Sequence, residues 1–365
     1  MAATGAERPY NTMDLEQRLA QAWQRRGPLA ALLWPLSQAY GATIALRRFG
    51  YRRGWLGSEH PGVPVIVVGN RIAGGAGKTP VVIALAEHLR RRGMRPGIIS
   101  RGHGRADVNI IRAVNSGDPV DAVGDEPLLL VLRTAAPLYV GRDRAAAARA
   151  LRAAHPEVDV ILSDDGAQHL ALARDIEILV FDARGGGNGW MLPAGPLREP
   201  LVVGPTARHT LVLYSSSGPS TPLAGHVSTR ALRGLVLLDD WWAGRTATAQ
   251  ALATLVQASQ TAPASLFASA GIARPQAFFE MLAAVGIHAT GLPLPDHERY
   301  AELPWPATAR ELIVTEKDAV KLRPDRLAAE RPGLRVWVAP LDFEPEAAFW
   351  SRLDAALDDV VATAS

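Results

Sequence analysis

An α/β fold built on a mainly parallel sheet flanked by helices is what this sequence predicts, and three observations carry the prediction. Apolar, strand-like runs alternate with helical patterns from residue 63 to residue 214. A glycine-rich turn joins the first run, Val63–Gly69, to a helix opening on Lys78-Thr79. A Ser/Gly/Pro/Thr-rich stretch, Ser215–Gly225, then separates this region from a second, shorter alternation of the same kind.

After Val63–Gly69 the expected strands are Gly97–Ser100, Pro137–Val140, Val158–Ser163, Ile176–Phe181 and Thr210–Tyr214. Helical spacing falls between them at Val81–Arg92, Glu126–Arg133 and Arg144–Ala154. Beyond the joint, Ser265–Ala270, Leu312–Thr315 and Leu334–Ala339 read as strands, with helices at Pro275–Val285 and Pro345–Leu357. The expected organisation is an N-terminal segment over 1–60, a first domain over 61–220 and a smaller α/β domain over 221–365 closing over it. A chain of 365 residues can bury a core in each.

Composition excludes several chemistries. The chain has no cysteine, so disulfides, thiolate catalysis and Cys-ligated zinc are ruled out. A net charge of +3 is too small to argue for nucleic acid, and no nucleic-acid-binding signature is present. The charge is unevenly placed. Residues 1–60 carry eight arginines against four acids, interleaved with Trp23, Leu32, Leu33, Trp34, Leu36, Tyr40, Ile44, Leu46, Phe49, Tyr51 and Trp55. Pro28–Leu46 approaches the length of a membrane span, but Pro35, Ser37, Gln38, Gly41 and Thr43 interrupt it. The expectation is an amphipathic helix lying in a membrane interface, arginines at anionic headgroups and tryptophans at the boundary. A helical hairpin packed on the domain is the alternative.

The turn Gly74-Gly75-Ala76-Gly77-Lys78-Thr79-Pro80 has the chemistry of a triphosphate-binding loop. Glycines let successive backbone N–H groups face one anionic centre, and the helix N-terminus adds its positive dipole end. Lys78 would reach the β/γ-phosphates and the Thr79 hydroxyl would bind Mg²⁺. The usual first glycine would fall at Ile72, and the signature lysine of dimerising ATPases would fall at Ala73. The expected fold is therefore P-loop NTPase-like, with glycines crowded close to the lysine.

Other motifs add groups that phosphoryl transfer needs. Asp164-Asp165-Gly166 ends an apolar strand, where such proteins place the carboxylate partner of Mg²⁺. Asp125, in Gly124-Asp125-Glu126-Pro127, reads structurally as a helix N-cap and chemically as a carboxylate able to accept a hydroxyl proton. Arg198-Glu199, on the proline-fixed run Leu192–Pro200, is either a solvated ion pair or an arginine that neutralises γ-phosphate charge. Asp296-His297 and Thr315-Glu316-Lys317-Asp318-Ala319-Val320-Lys321 stand in the second domain, the latter holding two of the chain's three lysines.

Taken together and in this order, the runs resemble the lipid A 4′-kinases (tetraacyldisaccharide 4′-kinases) from about residue 10 to 350. The matching motifs are Val67-Val68-Gly69-Asn70, Gly74–Pro80, Ser100-Arg101-Gly102, Gly124–Pro127, Asp164-Asp165-Gly166-Ala167-Gln168-His169, Gly187-Asn188-Gly189 through Arg198-Glu199-Pro200, and Thr315–Lys321. Ala76, Ala167 and His103 depart from the family's usual residues. The resemblance implies ATP and Mg²⁺, and transfer of the γ-phosphate to the 4′-hydroxyl of an acylated glucosamine disaccharide 1-phosphate. It further implies Asp125 as base paired with His297, Lys78 and Arg198 on the γ-phosphate, and Thr79, Asp164, Asp165 and Glu199 around the metal. It places the N-terminal segment on the cytoplasmic face of the bacterial inner membrane. The rival from another class is a membrane-associated P-loop switch ATPase acting on a protein partner.

Overall fold

The computed structural model describes residues 19, 21–202, 206–261 and 265–364. The beginning of the N-terminal segment, residues 1–18, lies outside them.

Strand β1, Val65–Gly69, is a run of β-branched residues buried on both faces, the pattern of a central parallel strand. The chain then builds β2 (Pro96–Ser100), β3 (Arg112–Val114), β4 (Leu138–Val140), β5 (Val160–Asp164), β6 (Ile176–Phe181), β7 (His209–Tyr214) and β8 (His226–Ala231). With β14 (Asp342–Pro345) these form a nine-stranded sheet of order β14-β8-β7-β6-β1-β5-β2-β4-β3. Only its two edge strands, β14 and β3, run antiparallel to their neighbours. Helices Lys78–Arg91, Asp125–Thr134 and Arg144–Ala154 return the chain between the parallel strands. The first turns Val81, Val82, Leu85, Ala86 and Leu89 into the core at helical spacing.

A second sheet has order β11-β10-β12-β13-β9, from β9 (Val236–Leu237), β10 (Leu266–Ala270), β11 (Thr290–Pro293), β12 (Glu311–Thr315) and β13 (Arg335–Ala339). Its pairs are parallel except β9 with β13. One contiguous core joins the sheets, running from Ile66 and Leu85 through Leu128 to Leu312, Val314 and Phe349. The sequence places the domain border near residue 220. The nine-stranded sheet, however, takes back β8, β14 and the C-terminal helix Ala347–Ala364, whose Asp354 accepts from His88 and Arg92. The second sheet thus spans residues 236–339. The alternation in His226–Ala231 is too polar to read as a strand without its neighbours, which is why this crossover is silent in the sequence.

The N-terminal helix runs from Pro28 to Arg52 and leaves Leu32 (76%), Leu36 (60%) and Leu46 (68%) exposed. Its length and composition would allow it to cross a membrane, and 11% of its most apolar window is buried in the protein. The other face is tied to the loop 188–199. Ser37 donates to the Met191 carbonyl (2.9 Å), Tyr40 to the Arg198 carbonyl (3.0 Å), and Gly41 lies against the Met191 side chain. Upstream, the Trp23 indole donates to the Pro193 carbonyl.

Deepest in this contact, Arg48 pairs with Glu199 at 2.8 Å, both almost wholly buried. Arg71, Arg174 and Glu177 complete the cluster. Burial pushes the Glu199 carboxyl up, and Arg48 and Arg71 oppose it. Removing one partner of such a pair strands the other in a low-dielectric site. Arg48→Met is expected to cost about 3 kcal/mol in urea unfolding, and adding Glu199→Gln to recover part of that loss. Simple additivity of the two substitutions would mean that the pair is not coupled.

Candidate active site

The two halves of the phosphate site are brought together by strand register. Strands β1 and β5 are parallel neighbours with Val68 opposite Asp164, so the turn after β1 and the acids ending β5 leave the sheet at one edge. Close packing continues past the strands: a Cβ on Gly69 would collide with Ala167 of the Asp-Asp-Gly turn. The Gln168 amide donates to the Asn70 carbonyl at 2.9 Å, and the Asn70 amide to the Gly74 carbonyl at 3.2 Å. Gly74 (φ +86°) and Gly77 (φ +78°) hold conformations that suit glycine. Pro80 stands in the first turn of helix Lys78–Arg91, where its missing N–H costs nothing.

Lys78 Nζ lies 3.2 Å from Asp165 Oδ1, and Arg198 Nη1 lies 3.6 Å from the same oxygen. Arg198 is held there by backbone pairing: its N–H donates to the Arg71 carbonyl (2.8 Å) and Ala73 N–H to the Pro196 carbonyl (2.7 Å). Ala76, with Ile72 and Leu197, packs the loop onto this segment. Asp164 is buried and accepts from Ser100 at 3.0 Å. Burial, then Glu126 and Asp165, push its carboxyl up to about 7, and its buried Oδ1 has no hydrogen-bond partner among the described residues. An orphaned carboxylate oxygen next to a second acid, at the sheet edge from which the Lys78–Thr79 turn also leaves, fits a hard divalent cation. Among the described residues no three His, Asp or Glu side chains form a metal cage, so such an ion would take further ligands from phosphate and water.

Glu199 is not part of this group. It pairs with Arg48 of the N-terminal helix and lies among Arg71 and Arg174. The expectation of Glu199 beside the metal is corrected accordingly.

A second pairing joins the two sheets. Asp125 Oδ2 lies 2.8 Å from His297 Nδ1. Asp125 is the first residue of helix Asp125–Thr134, whose N-cap is Gly124, so its side chain is not the cap read from the motif. His297 takes φ +60° in the loop after β11. Its backbone N–H donates to the Gly271 carbonyl, and its ring lies 5.2 Å from that of His103. Burial alone would raise the Asp125 carboxyl. The hydrogen bond and charge of His297, with Lys317 and Lys321, hold it at about 2 instead. The bond to Asp125 raises the His297 imidazole above its usual value.

The phosphate loop borders a cavity of about 780 Å³ lined by Gly75–Pro80, Glu126, Arg230, Arg274 and Lys317, together with the apolar side chains of Ile83, Phe278, Met281 and Trp350. Glu126 accepts from Lys317, and Arg133 Nη1 donates to Glu316 at 2.6 Å, so one helix face carries several links to the second sheet. Three arginines that no motif announces surround the glycines. The Arg184 guanidinium donates to the Gly75 carbonyl (2.6 Å), Arg274 pairs with buried Asp182 (3.3 Å), and Arg230 lies where a Cβ on Gly77 would be. Arg230 comes from β8, the strand the sequence hides. Burial lowers the His169 imidazole to about 4, aided by the charges of Arg144, Arg101 and, from the N-terminal helix, Arg47.

The comparisons agree with this architecture. A family model described as Tetraacyldisaccharide-1-P 4′-kinase matches residues 29–358. The tetraacyldisaccharide 4′-kinase of Methylibium petroleiphilum is 57% identical over 343 residues, 94% of each chain. That of Leptothrix cholodnii is 52% identical over 343 residues, 94% of this chain and 96% of its own. A crystal structure of LpxK from Aquifex aeolicus in complex with ATP superposes with a TM-score of 0.72 at 24% identity, covering 91% of this chain and 99% of that one, a likeness of fold. The chain belongs to the tetraacyldisaccharide 4′-kinase family.

Proposed function

We propose that this chain transfers the γ-phosphate of ATP to the 4′-hydroxyl of a tetraacyldisaccharide 1-phosphate, with Asp125, oriented by His297, taking the hydroxyl proton. The observation that carries the reading is the 2.8 Å Asp125–His297 pair, built across two sheets beside the phosphate-loop cavity. A carboxylate so placed serves an acceptor hydroxyl, which a switch ATPase does not need. Ala73 also lacks the lysine of the dimerising ATPases, so the rival reading gains no support.

Lys78 and Arg198 supply positive charge where negative charge develops on the transferred group, with Asp165 holding both cations in place. Thr79, Asp164 and Asp165 would hold Mg²⁺, which when bound neutralises phosphate charge. The cavity's apolar lining, which includes Phe278 and Trp350, suits a nucleobase. The arginines whose charge reaches His169 include Arg47 of the N-terminal helix, and a phosphorylated lipid would enter from that side. That helix is proposed to lie on the membrane surface at the cytoplasmic side, its exposed leucines in the acyl boundary.

Transfer from γ-labelled ATP to purified tetraacyldisaccharide 1-phosphate in detergent tests the reaction. Lys78→Ala and Asp125→Ala are each expected to lose about 100-fold or more of it. Steady ATP hydrolysis with no labelled lipid would return the chain to the switch reading.

The pair also sets a pH dependence. His297 is raised, so its contribution to stability is complete below about 6.5 and is lost as pH rises through its raised value. Asp125 is depressed, so its contribution is present above about 4 and is lost as pH falls through about 2. The proton the pair must shed for catalysis therefore places the acid limb of kcat/KM above about 6.5; a limb at the ordinary carboxylate value would remove His297 from the base. For the membrane, flotation with anionic phospholipid vesicles is expected to carry the protein, and Leu32→Glu/Leu36→Glu to leave it at the bottom of the gradient. Flotation unchanged by that double substitution would refute the docking face.

A further inference from the structure

Lys321 is one of only three lysines in the chain, and its side chain is 5% exposed. Its buried Nζ has no hydrogen-bond partner among the described residues. The facing carboxylates are Asp318 Oδ1 at 3.5 Å and Asp125 Oδ2 at 3.9 Å, and the Tyr300 ring centroid is 5.6 Å away. A strongly hydrated ammonium is costly to bury in this way, so its position calls for a reason.

Asp318 is already engaged. Its carboxylate accepts from Gly271 N–H (3.1 and 3.2 Å) and from the Thr315 hydroxyl (2.6 Å). Gly271 in turn gives its carbonyl to the His297 N–H at 3.2 Å. Asp318 therefore builds the loop that sets His297, while Lys321 points past it to the Asp125 oxygen that His297 bonds. We propose that Lys321 is a positioning residue for the Asp125–His297 pair, its buried charge fixing the carboxylate as the anion facing the imidazole. This rests on the reading of Asp125 as the base.

The charged and titratable groups around Asp125 are His297, Lys317, Lys321 and Glu126, with Asp296, Asp318 and the His103 ring behind them. Lys317 is committed to Glu126. Removing the Lys321 charge lets both Asp125 and His297 keep a proton to higher pH. The direction is the same whichever proton the pair's acid limb reports.

The test is the pH profile of kcat/KM for tetraacyldisaccharide 1-phosphate with the full chain. In Lys321→Met the acid limb is expected to move up by about one pH unit, giving about a tenfold loss on the limb that fades at alkaline pH, with KM for ATP unchanged. Lys321→Arg, which keeps the charge, is expected to retain the wild-type limb. Lys321→Gln, whose amide can bond both carboxylates, gives the same reading if the methionine variant does not fold. A loss independent of pH, or an unmoved limb, in the neutral variants overturns the proposal by reducing Lys321 to a packing role. Asp125→Asn run alongside separates the two ideas. If it keeps near-normal transfer, the base assignment falls; if it is inactive while the neutral Lys321 variants keep the wild-type limb, only the role of Lys321 falls.

Discussion

The parallel register of β1 against β5 is the constraint from which the phosphate site follows. Val68 stands opposite Asp164, so a glycine-rich turn and a pair of acids leave the sheet side by side although about a hundred residues separate them. Parallel neighbours require crossovers, and the crossovers are helices whose apolar stripes cover both faces of the sheet. The buried strands are mostly Val, Ile and Leu because helices cover both of their faces. The polar groups at the strand ends inherit a dry, low-dielectric setting. That setting raises Asp164 and makes the charges of Lys78 and Arg198 strong.

The second constraint is the meeting of the two sheets along helix Asp125–Thr134. Asp125 reaches His297, Glu126 reaches Lys317 and Arg133 reaches Glu316, the partners lying in the segments that directly follow β11 and β12 of the second sheet. Partly buried ion pairs are weak sources of net stability, because desolvation consumes most of their attraction. They are strong sources of geometry, since an unpaired charge in the same place is costly. This explains why a face carrying so much charge also borders a continuous apolar core. The core supplies the cohesion, and the pairs fix which groups face one another.

The N-terminal helix is tied to the same site. Its contacts with loop 188–199 run through Ser37, Tyr40 and the buried Arg48–Glu199 pair. That loop also presents Arg198 to Asp165 and is bridged to the residues before the phosphate loop. A helix with an exposed leucine face is thereby joined, through one rigid segment, to the site of charge development. Glu199 is spent on this attachment, while its neighbour Arg198 faces the chemistry.

Much of this was determined by local sequence. Apolar period, β-branched runs and glycine placement mark β1, β2, β4, β5, β6, β7, β10, β12 and β13 to within a residue or two, and the Gly-Gly-Ala-Gly-Lys-Thr-Pro turn carries its chemistry by composition alone. Asp125 and His297 are legible as candidates only through resemblance to a family, since 172 positions separate them and neither is unusual in its own stretch. Short or half-polar strands such as β8, β9, β11 and β14 have too little pattern to be seen alone, and the return of β8 and β14 to the first sheet is a pairing decision. Arg230 reaches the phosphate loop only because of that pairing, and Glu199 turns from the metal to Arg48 only because the helix packs there. Periodicity and turn chemistry act over a few residues and are written in order along the chain. Which charge meets which depends on distances that only the packed core sets.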